Sequence, residues 1–163
     1  VGSAGFLAGE LLQQQAKFRM VHVPYKGTGP AFTDLVGGTI GAMLTSPAVA
    51  AGQIASGKIR ALAVSSAVRV SDYPDVPTMN ETFPGTVGDA WFGISVPAKT
   101  PAPVIERLRA ELMKAIGRPD VRAQLQQIGV HPMGLGPREF NNFLQQETSK
   151  WASVLKDVKI AAE

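Results

Sequence analysis

The chain has 163 residues, of which 45% are hydrophobic and 18% charged, a composition typical of a globular protein rather than a disordered one. Its net charge of +3 comes from 16 basic and 13 acidic residues, and the basic residues are too scattered to favour nucleic-acid binding. Cysteine is absent, which excludes disulfides, thiolate metal sites and cysteine nucleophiles. No apolar run reaches the ~18 residues of a membrane span.

The first half of the chain predicts repeated α/β units. Helices are expected close to the first residue, at 30–36 and at 47–56, the last one capped by Ser46 and followed by a proline. Mostly apolar segments of strand length are predicted before and between these helices, at 20–24, 40–45 and 58–65. Because apolar strands without alternation are buried on both faces, the pattern favours a parallel sheet with right-handed βαβ crossovers.

The second half predicts one further strand and a set of helices. A loop rich in proline, glycine and aspartate covers 68–88, with a short helix near 78–83, and a strand is expected at 89–98. The three helices that follow are predicted from a Thr100 cap to Ile116, at 119–128, and from Gly136-Pro137 to about Val158. The change in composition near 87–89 is the best candidate for a domain crossing, which divides the chain into 1–88 and 89–163.

Glycines and hydroxyl residues recur where the predicted strands end and the predicted helices begin. In open parallel sheets, ligands bind at this position, beyond the carboxyl ends of the strands. The residues concerned are Gly2-Ser3, Gly27-Thr28-Gly29, Thr45-Ser46 and Ser65-Ser66. Neutral donors and helix N-termini suit a carboxylate, although each residue taken singly is also explained as an ordinary helix cap.

Reactive side chains are not grouped in a way that predicts catalysis or a cofactor. Lys26 precedes Gly27, which is the wrong order for a phosphate-binding loop of the Walker type, and no G-x-S-x-G sequence occurs. His22 and His131 lack metal-ligand spacing, and solvation explains Asp34 better than catalysis does. The sequence therefore predicts recognition of a ligand with no catalytic residue, no metal and no cofactor.

Several segments resemble one known family. "VHVPYKGTGPAFTDLVGGTIGAML", "SGKIRALAVSS" and "DVPTMNETFPG…WFGISVPAKTP" occur in the order typical of the Bug-type periplasmic receptors. These receptors are the substrate-binding proteins of tripartite tricarboxylate transporters. The resemblance extends over nearly the whole chain and includes "EFNNFLQQETSKWASVLKD", which is similar to the family's closing helix.

The resemblance implies an α/β fold of the type II periplasmic-binding-protein kind, a two-lobed Venus flytrap that closes on a small carboxylated ligand. Carried over by position, the ligand-binding residues of the second lobe are Ser3, Ala4, Phe6, Gly27, Thr28, Gly29, Thr45 and Ser46. Phe6 occupies a place where the family often has histidine, which implies a change in pocket polarity.

The same resemblance implies how the chain is organised and where it works. Residues 1–88 correspond to lobe two without its first strand, and 89–163 to a crossover strand and the C-terminal helices of lobe one. Family members are usually much longer, so an N-terminal lobe is expected as a partner, together with a di- or tricarboxylate and membrane permease subunits. The implied location is the periplasm and the implied role is uptake or sensing.

Two other classes of protein remain open as alternatives. The effector domain of a transcription regulator can share this type of lobe, but DNA-binding helices and the motifs of that class are absent from the sequence. A small α/β enzyme is disfavoured because the predicted strand ends and helix starts described above carry no reactive side chain.

Overall fold

The computed structural model describes residues 3–156 and 158, and helices are its regular elements. The helices are α1 (Ala4–Ala16), α2 (Thr28–Val36), α3 (Pro47–Ala55), α4 (Met79–Thr82), α5 (Ala102–Gly117), α6 (Pro119–Gln127) and α7 (Pro137–Leu155). Among the described residues, none of these helices combines the length and the apolar character that crossing a bilayer requires.

The helix predictions agree with these bounds within a residue except at three ends, of which the first is the start of α2, at Thr28 rather than at Pro30. Thr100 is not the cap of α5, because its N–H donates to the Pro97 carbonyl in a turn at 2.9 Å and Pro101 occupies the N-cap position. The last helix ends at Leu155 rather than near Val158. The Val158 N–H donates to the Leu155 carbonyl at 3.2 Å, a short-range bond typical of a terminating turn.

The chain divides into two compact units. Unit 1 contains Val1–Ala90 and Lys150–Glu163, and unit 2 contains Trp91–Ser149. The long helix α7 therefore begins in unit 2 and ends in unit 1. Assigning these units to lobes of a flytrap stays a prediction.

The core of unit 1 is small, and its buried residues come from α1, α2, α3, α4 and the end of α7. The buried apolar residues are Ala8, Leu11, Ala31, Ala50, Met79 and Val154. The Gln14 amide donates to the Val154 carbonyl at 2.7 Å. Gly88 has no room for a side chain, because a Cβ there would lie 3.0 Å from Cβ of Ala8. A glycine is thus needed where the chain passes over α1.

The predicted strands do not form a ladder among the described residues. One isolated parallel bridge joins Val64 to Thr78, with the Met79 N–H donating to the Val64 carbonyl at 2.8 Å. Several apolar side chains of these segments are exposed, for example 91% of Val21 and 86% of Phe92. A ladder needs a second backbone alongside the first, and the described residues do not supply one. The parallel βαβ arrangement stays a prediction.

An aromatic cluster organises unit 2. Trp91 meets the rings of Phe140 and Phe143 edge-on, at centroid distances of 5.9 and 5.4 Å. The Gly93 backbone lies so close to Phe140 that a Cβ would overlap the ring. In α5, the sequence pattern predicts one apolar face, and three of its residues, Val104, Leu108 and Leu112, are exposed.

Candidate functional site at three helix starts

The first helix of unit 1 begins with a serine cap. The Ser3 hydroxyl oxygen accepts a hydrogen bond from the Phe6 N–H at 3.2 Å, and Ala4 is the first residue of α1. A hydroxyl that accepts one bond can still donate its own proton to another group. Ser3 is exposed, so its O–H is accessible to a ligand at this helix start.

The start of α3 repeats the same arrangement. The Ser46 hydroxyl oxygen accepts from the Val49 N–H at 3.4 Å, and Pro47 occupies the first helical position, where no N–H is needed. Thr45 and Ser46 are both exposed. The N-cap predicted from "SP" is confirmed, and it leaves two hydroxyl groups at the surface.

The start of α2 is built differently, because its N-cap residue has no side chain. Gly27 has φ 109° and ψ 174°, a conformation essentially restricted to glycine, and no side chain caps the helix. A Cβ added at Gly27 or Gly29 would have nothing within 4 Å. Thr28 is exposed and is the first residue of α2. The exposed residues Thr28 and Gly29 of the first turn therefore have no side-chain oxygen that caps their N–H groups.

Contacts of α1 bring its first turn to the segments that lead into the other two helix starts. The Phe6 ring meets the His22 ring edge-on, with centroids 5.0 Å apart. A Cβ at Gly5 would lie 3.2 Å from the carbonyl oxygen of Leu44, the residue before Thr45. Phe6 is half-buried by this packing. The structure thus gathers Ser3, Ala4 and Phe6 near the segments that precede the glycine loop and Ser46.

One side-chain bond beside the glycine loop is missing from the sequence-based prediction. The Tyr25 hydroxyl donates to Oδ2 of Asp34 at 2.7 Å, so Asp34 is not simply a solvated carboxylate. The hydrogen bond to Asp34, burial and the nearby charge together raise the pKa of Tyr25 above its ordinary value of 10. The phenol therefore stays protonated and donates at neutral pH. Two hydrogen-bonding side chains on either side of a glycine loop are the only sequence signal of this pair.

The rim, as the three helix starts are called here, has neutral and cationic groups. Its hydroxyls and backbone N–H groups carry no formal charge, and the exposed Lys26 directly precedes Gly27. The part of the chain that the structure describes contains no group of three histidine, cysteine or acidic residues able to hold a metal ion. This arrangement can bind an anion through helix N-termini, each worth about 0.3–1 kcal/mol when exposed.

Solved structures with similar backbones define the class of fold. The structure titled R. palustris Rpa4515 with adipate superposes with a TM-score of 0.80 at 29% identity, covering 95% of this chain and 52% of that one. The periplasmic binding protein BugD gives 0.79 at 32% identity, covering 96% and 53%. MatC (Rpa3494) from Rhodopseudomonas palustris, with bound malate, gives 0.74 at 29%, covering 95% and 54%. The prediction of a periplasmic-binding-protein-like fold is confirmed.

The family follows from the sequence comparison. Residues 1–160 match the tripartite tricarboxylate transporter family receptor, TctC, and the chain belongs to this family. One curated relative, a UPF0065 protein from the tcbD-tcbE intergenic region of Pseudomonas sp. strain P51, is 36% identical over 99% of this chain and 49% of its own length. The chain thus spans about half the length of that relative.

These comparisons confirm the resemblance to Bug-type receptors and show a family of receptors rather than enzymes. The ligand-binding roles predicted for eight residues stay predictions, although the structure places all of these residues at helix starts of unit 1. The eight residues are Ser3, Ala4, Phe6, Gly27, Thr28, Gly29, Thr45 and Ser46.

Proposed function

We propose that this chain is the C-terminal part of an extracytoplasmic solute receptor that binds a small di- or tricarboxylate without catalysis. The observation that carries the proposal is the start of α2, where a glycine N-cap leaves the first N–H groups of the helix uncapped and exposed. Such a site attracts anions through both hydrogen bonds and the helix dipole.

Support for a carboxylate comes from the neighbouring groups and from the relatives. The hydroxyls of Thr28, Thr45 and Ser46 can donate to carboxylate oxygens, and no acidic side chain belongs to the rim to repel them. Two structural neighbours hold dicarboxylates, adipate in one and malate in the other. The hydroxyl donors and the ligands of these two neighbours together favour a di- or tricarboxylate over a sugar or a cation.

The proposal assigns 1–88 to lobe two, with its apolar segments as strands of parallel βαβ units, and 89–163 to the crossover strand and helices of lobe one. The length of the relatives supports a further N-terminal lobe in the full-length receptor, because the chain covers about half of them. Exposed apolar residues at 62, 92 and 94 fit strands that pair with additional chain.

The periplasm is the proposed location and permease subunits of a tripartite transporter are the proposed partners, on the strength of the family description. Uptake and sensing both use this type of receptor.

A thermal-shift screen of the full-length receptor tests the proposed ligand class. A ligand at 100 times its Kd stabilises the folded state by about 2.7 kcal/mol, so a matching acid should raise the melting temperature clearly. Adipate, malate and citrate form the acid arm, and glucose and putrescine form the control arm. Stabilisation by the control arm alone, with no response to any acid, would contradict the proposal.

A further inference from the structure

The glycine segment Gly27-Thr28-Gly29, which forms the N-cap and the first two residues of α2, lies between two hydrogen-bonded side chains. Tyr25 precedes this segment and Asp34 lies farther along α2, and a 2.7 Å hydrogen bond links the two side chains across it. Both side chains are half-buried, while Lys26 to Pro30 are exposed. The bond therefore spans the segment that the proposed function assigns to the ligand.

Little else restrains this segment. Open space surrounds the Cβ positions of Gly27 and Gly29, and no side chain caps the helix start. The Thr33 hydroxyl donates to the Gly29 carbonyl at 3.3 Å, but this bond lies within α2 and does not connect the loop to the preceding segment. Glycine in a loop loses more conformational freedom on ordering than any other residue. A hydrogen bond that joins the two sides of this segment reduces the number of backbone conformations that the segment can adopt before a ligand binds.

We infer that Tyr25 and Asp34 are positioning residues, which set the direction of the Thr28 and Gly29 N–H groups without contacting the ligand themselves. The inference rests on the proposed function for the role of those N–H groups in binding. A preorganised loop binds more tightly because the ordering cost is met in the folded protein rather than on binding.

Four variants of the full-length receptor separate this role from general stability. Tyr25→Phe removes the donor, Asp34→Ala removes the acceptor, and Asp34→Asn retains an acceptor oxygen of similar reach. Tyr73→Phe is the matched control, since Tyr73 is the other tyrosine of the chain and is also half-buried in unit 1.

Adipate affinity measured by calorimetry gives the first readout. We expect Tyr25→Phe and Asp34→Ala to weaken binding by about three- to tenfold, the range of one ordinary hydrogen bond. Asp34→Asn should recover most of that loss, and Tyr73→Phe should match the unsubstituted receptor. A variant that carries both Tyr25→Phe and Asp34→Ala should bind adipate no worse than either single variant, because both substitutions remove the same hydrogen bond.

Backbone nitrogen-15 relaxation without ligand gives the second readout and does not depend on the identity of the ligand. The order parameters of the Thr28 and Gly29 amides should be lower in Tyr25→Phe than in Tyr73→Phe, because the hydrogen bond that restrains this segment is lost. Unchanged order parameters in Tyr25→Phe would overturn the inference, as would an Asp34→Asn variant as defective as Asp34→Ala. An unsubstituted receptor that binds no acid would instead contradict the proposed function, while the order parameters still decide the positioning role.

Discussion

The start of α2 and the start of α3 lie in the same unit but solve the same structural problem in opposite ways. At α3, the Ser46 hydroxyl oxygen accepts from the Val49 N–H, so the helix satisfies part of its own first turn. At α2, Gly27 provides no capping atom and adopts a backbone conformation that other residues avoid. Replacing a serine cap with alanine costs about 1 kcal/mol, but replacing it with glycine costs only a few tenths, so α2 can leave its N–H groups without a side-chain cap at little cost in stability. No side chain accepts from the N–H groups of the first turn of α2, whereas at α3 the Ser46 hydroxyl oxygen already engages the Val49 N–H. The start of α2 therefore has more N–H groups available to a ligand.

Among substitutions that test the difference between α2 and α3, Gly27→Ala should have the largest effect, a loss of stability. A side chain at φ 109° and ψ 174° is strained, and we expect a loss of about 1–3 kcal/mol in the free energy of unfolding. Urea denaturation of the ligand-free receptor measures it. Gly29→Ala is the matched control, since Gly29 has open space around its Cβ position and should change stability by less than about 0.5 kcal/mol. Equal effects of the two substitutions would show that the special conformation of Gly27 is not required.

Thr28→Val should change ligand affinity with little change in stability. The substitution keeps the shape of the side chain and removes a hydroxyl donor, and losing a donor to a charged acceptor costs about 1.5–3 kcal/mol, or about tenfold or more in Kd. Calorimetry with adipate measures the change. Thr33→Val, in the same helix, is the control because the Thr33 hydroxyl donates to the Gly29 carbonyl. An unchanged Kd for Thr28→Val would return this residue to an ordinary surface position.

Ser46→Ala should lower stability even without a ligand, unlike Thr28→Val. Removing a serine cap costs about 1 kcal/mol, and Ser46→Asp should retain the cap because aspartate is an equally good N-cap residue. Thermal unfolding of the ligand-free receptor measures this difference. If Ser46 also donates its hydroxyl proton to the ligand, Ser46→Ala weakens adipate binding as well, and Ser46→Asp weakens it further through charge repulsion. A Ser46→Ala variant with unchanged melting temperature would remove the contrast between α3 and α2.

The start of α4 has a third kind of cap, which includes a charged side chain. The effect expected from this cap, on the pH dependence of stability, is the smallest of those predicted. Thr78 and Glu81 form a reciprocal capping box, and the Glu81 carboxylate also accepts from Arg69 at 2.6 Å. The hydrogen bond to Arg69, followed by that from the Thr78 N–H, lowers the pKa of Glu81 to about 2. Since the folded-state pKa lies below the ordinary value of 4.5, Glu81 contributes stability above that value and loses it as the pH falls toward 2.

Acid titration of the unfolding temperature checks this contribution. Glu81→Gln should flatten the decline between pH 4.5 and pH 2 relative to the unsubstituted receptor. Glu106→Gln is the control, because Glu106 is an exposed residue of α5. Parallel titration curves for Glu81→Gln and the unsubstituted receptor would contradict the assignment.

Two caps predicted from the sequence have different outcomes: Ser46 is confirmed, whereas Thr100 is wrong because Pro101 occupies the N-cap position of α5. Ser46 followed by proline is a local signal, and the helix that follows it agrees within a residue of its predicted end. The strands were harder to verify, because a ladder depends on a second backbone and Val21 and Leu62 remain exposed in the described residues. Local sequence patterns indicate that a segment can form a strand, whereas strand pairing depends on residues far away in the sequence.

Side-chain links across the rim were also beyond the reach of sequence patterns. The Tyr25–Asp34 bond and the Phe6–His22 contact depend on how the loop and α1 place their side chains in space. The family resemblance identified Phe6 as a departure from histidine, but only the structure shows the ring that it meets. Such contacts follow from backbone paths rather than from spacing along the chain.

The central claim, that the uncapped start of α2 receives a ligand carboxylate, is tested most directly by NMR titration of the full-length receptor with adipate. The amide protons of Thr28 and Gly29 should move downfield as they donate to the carboxylate, and their shifts should saturate with the Kd found by calorimetry. The Gly52 amide, inside α3, should stay in place as an internal reference. Tight adipate binding with unchanged Thr28 and Gly29 amides would contradict the claim.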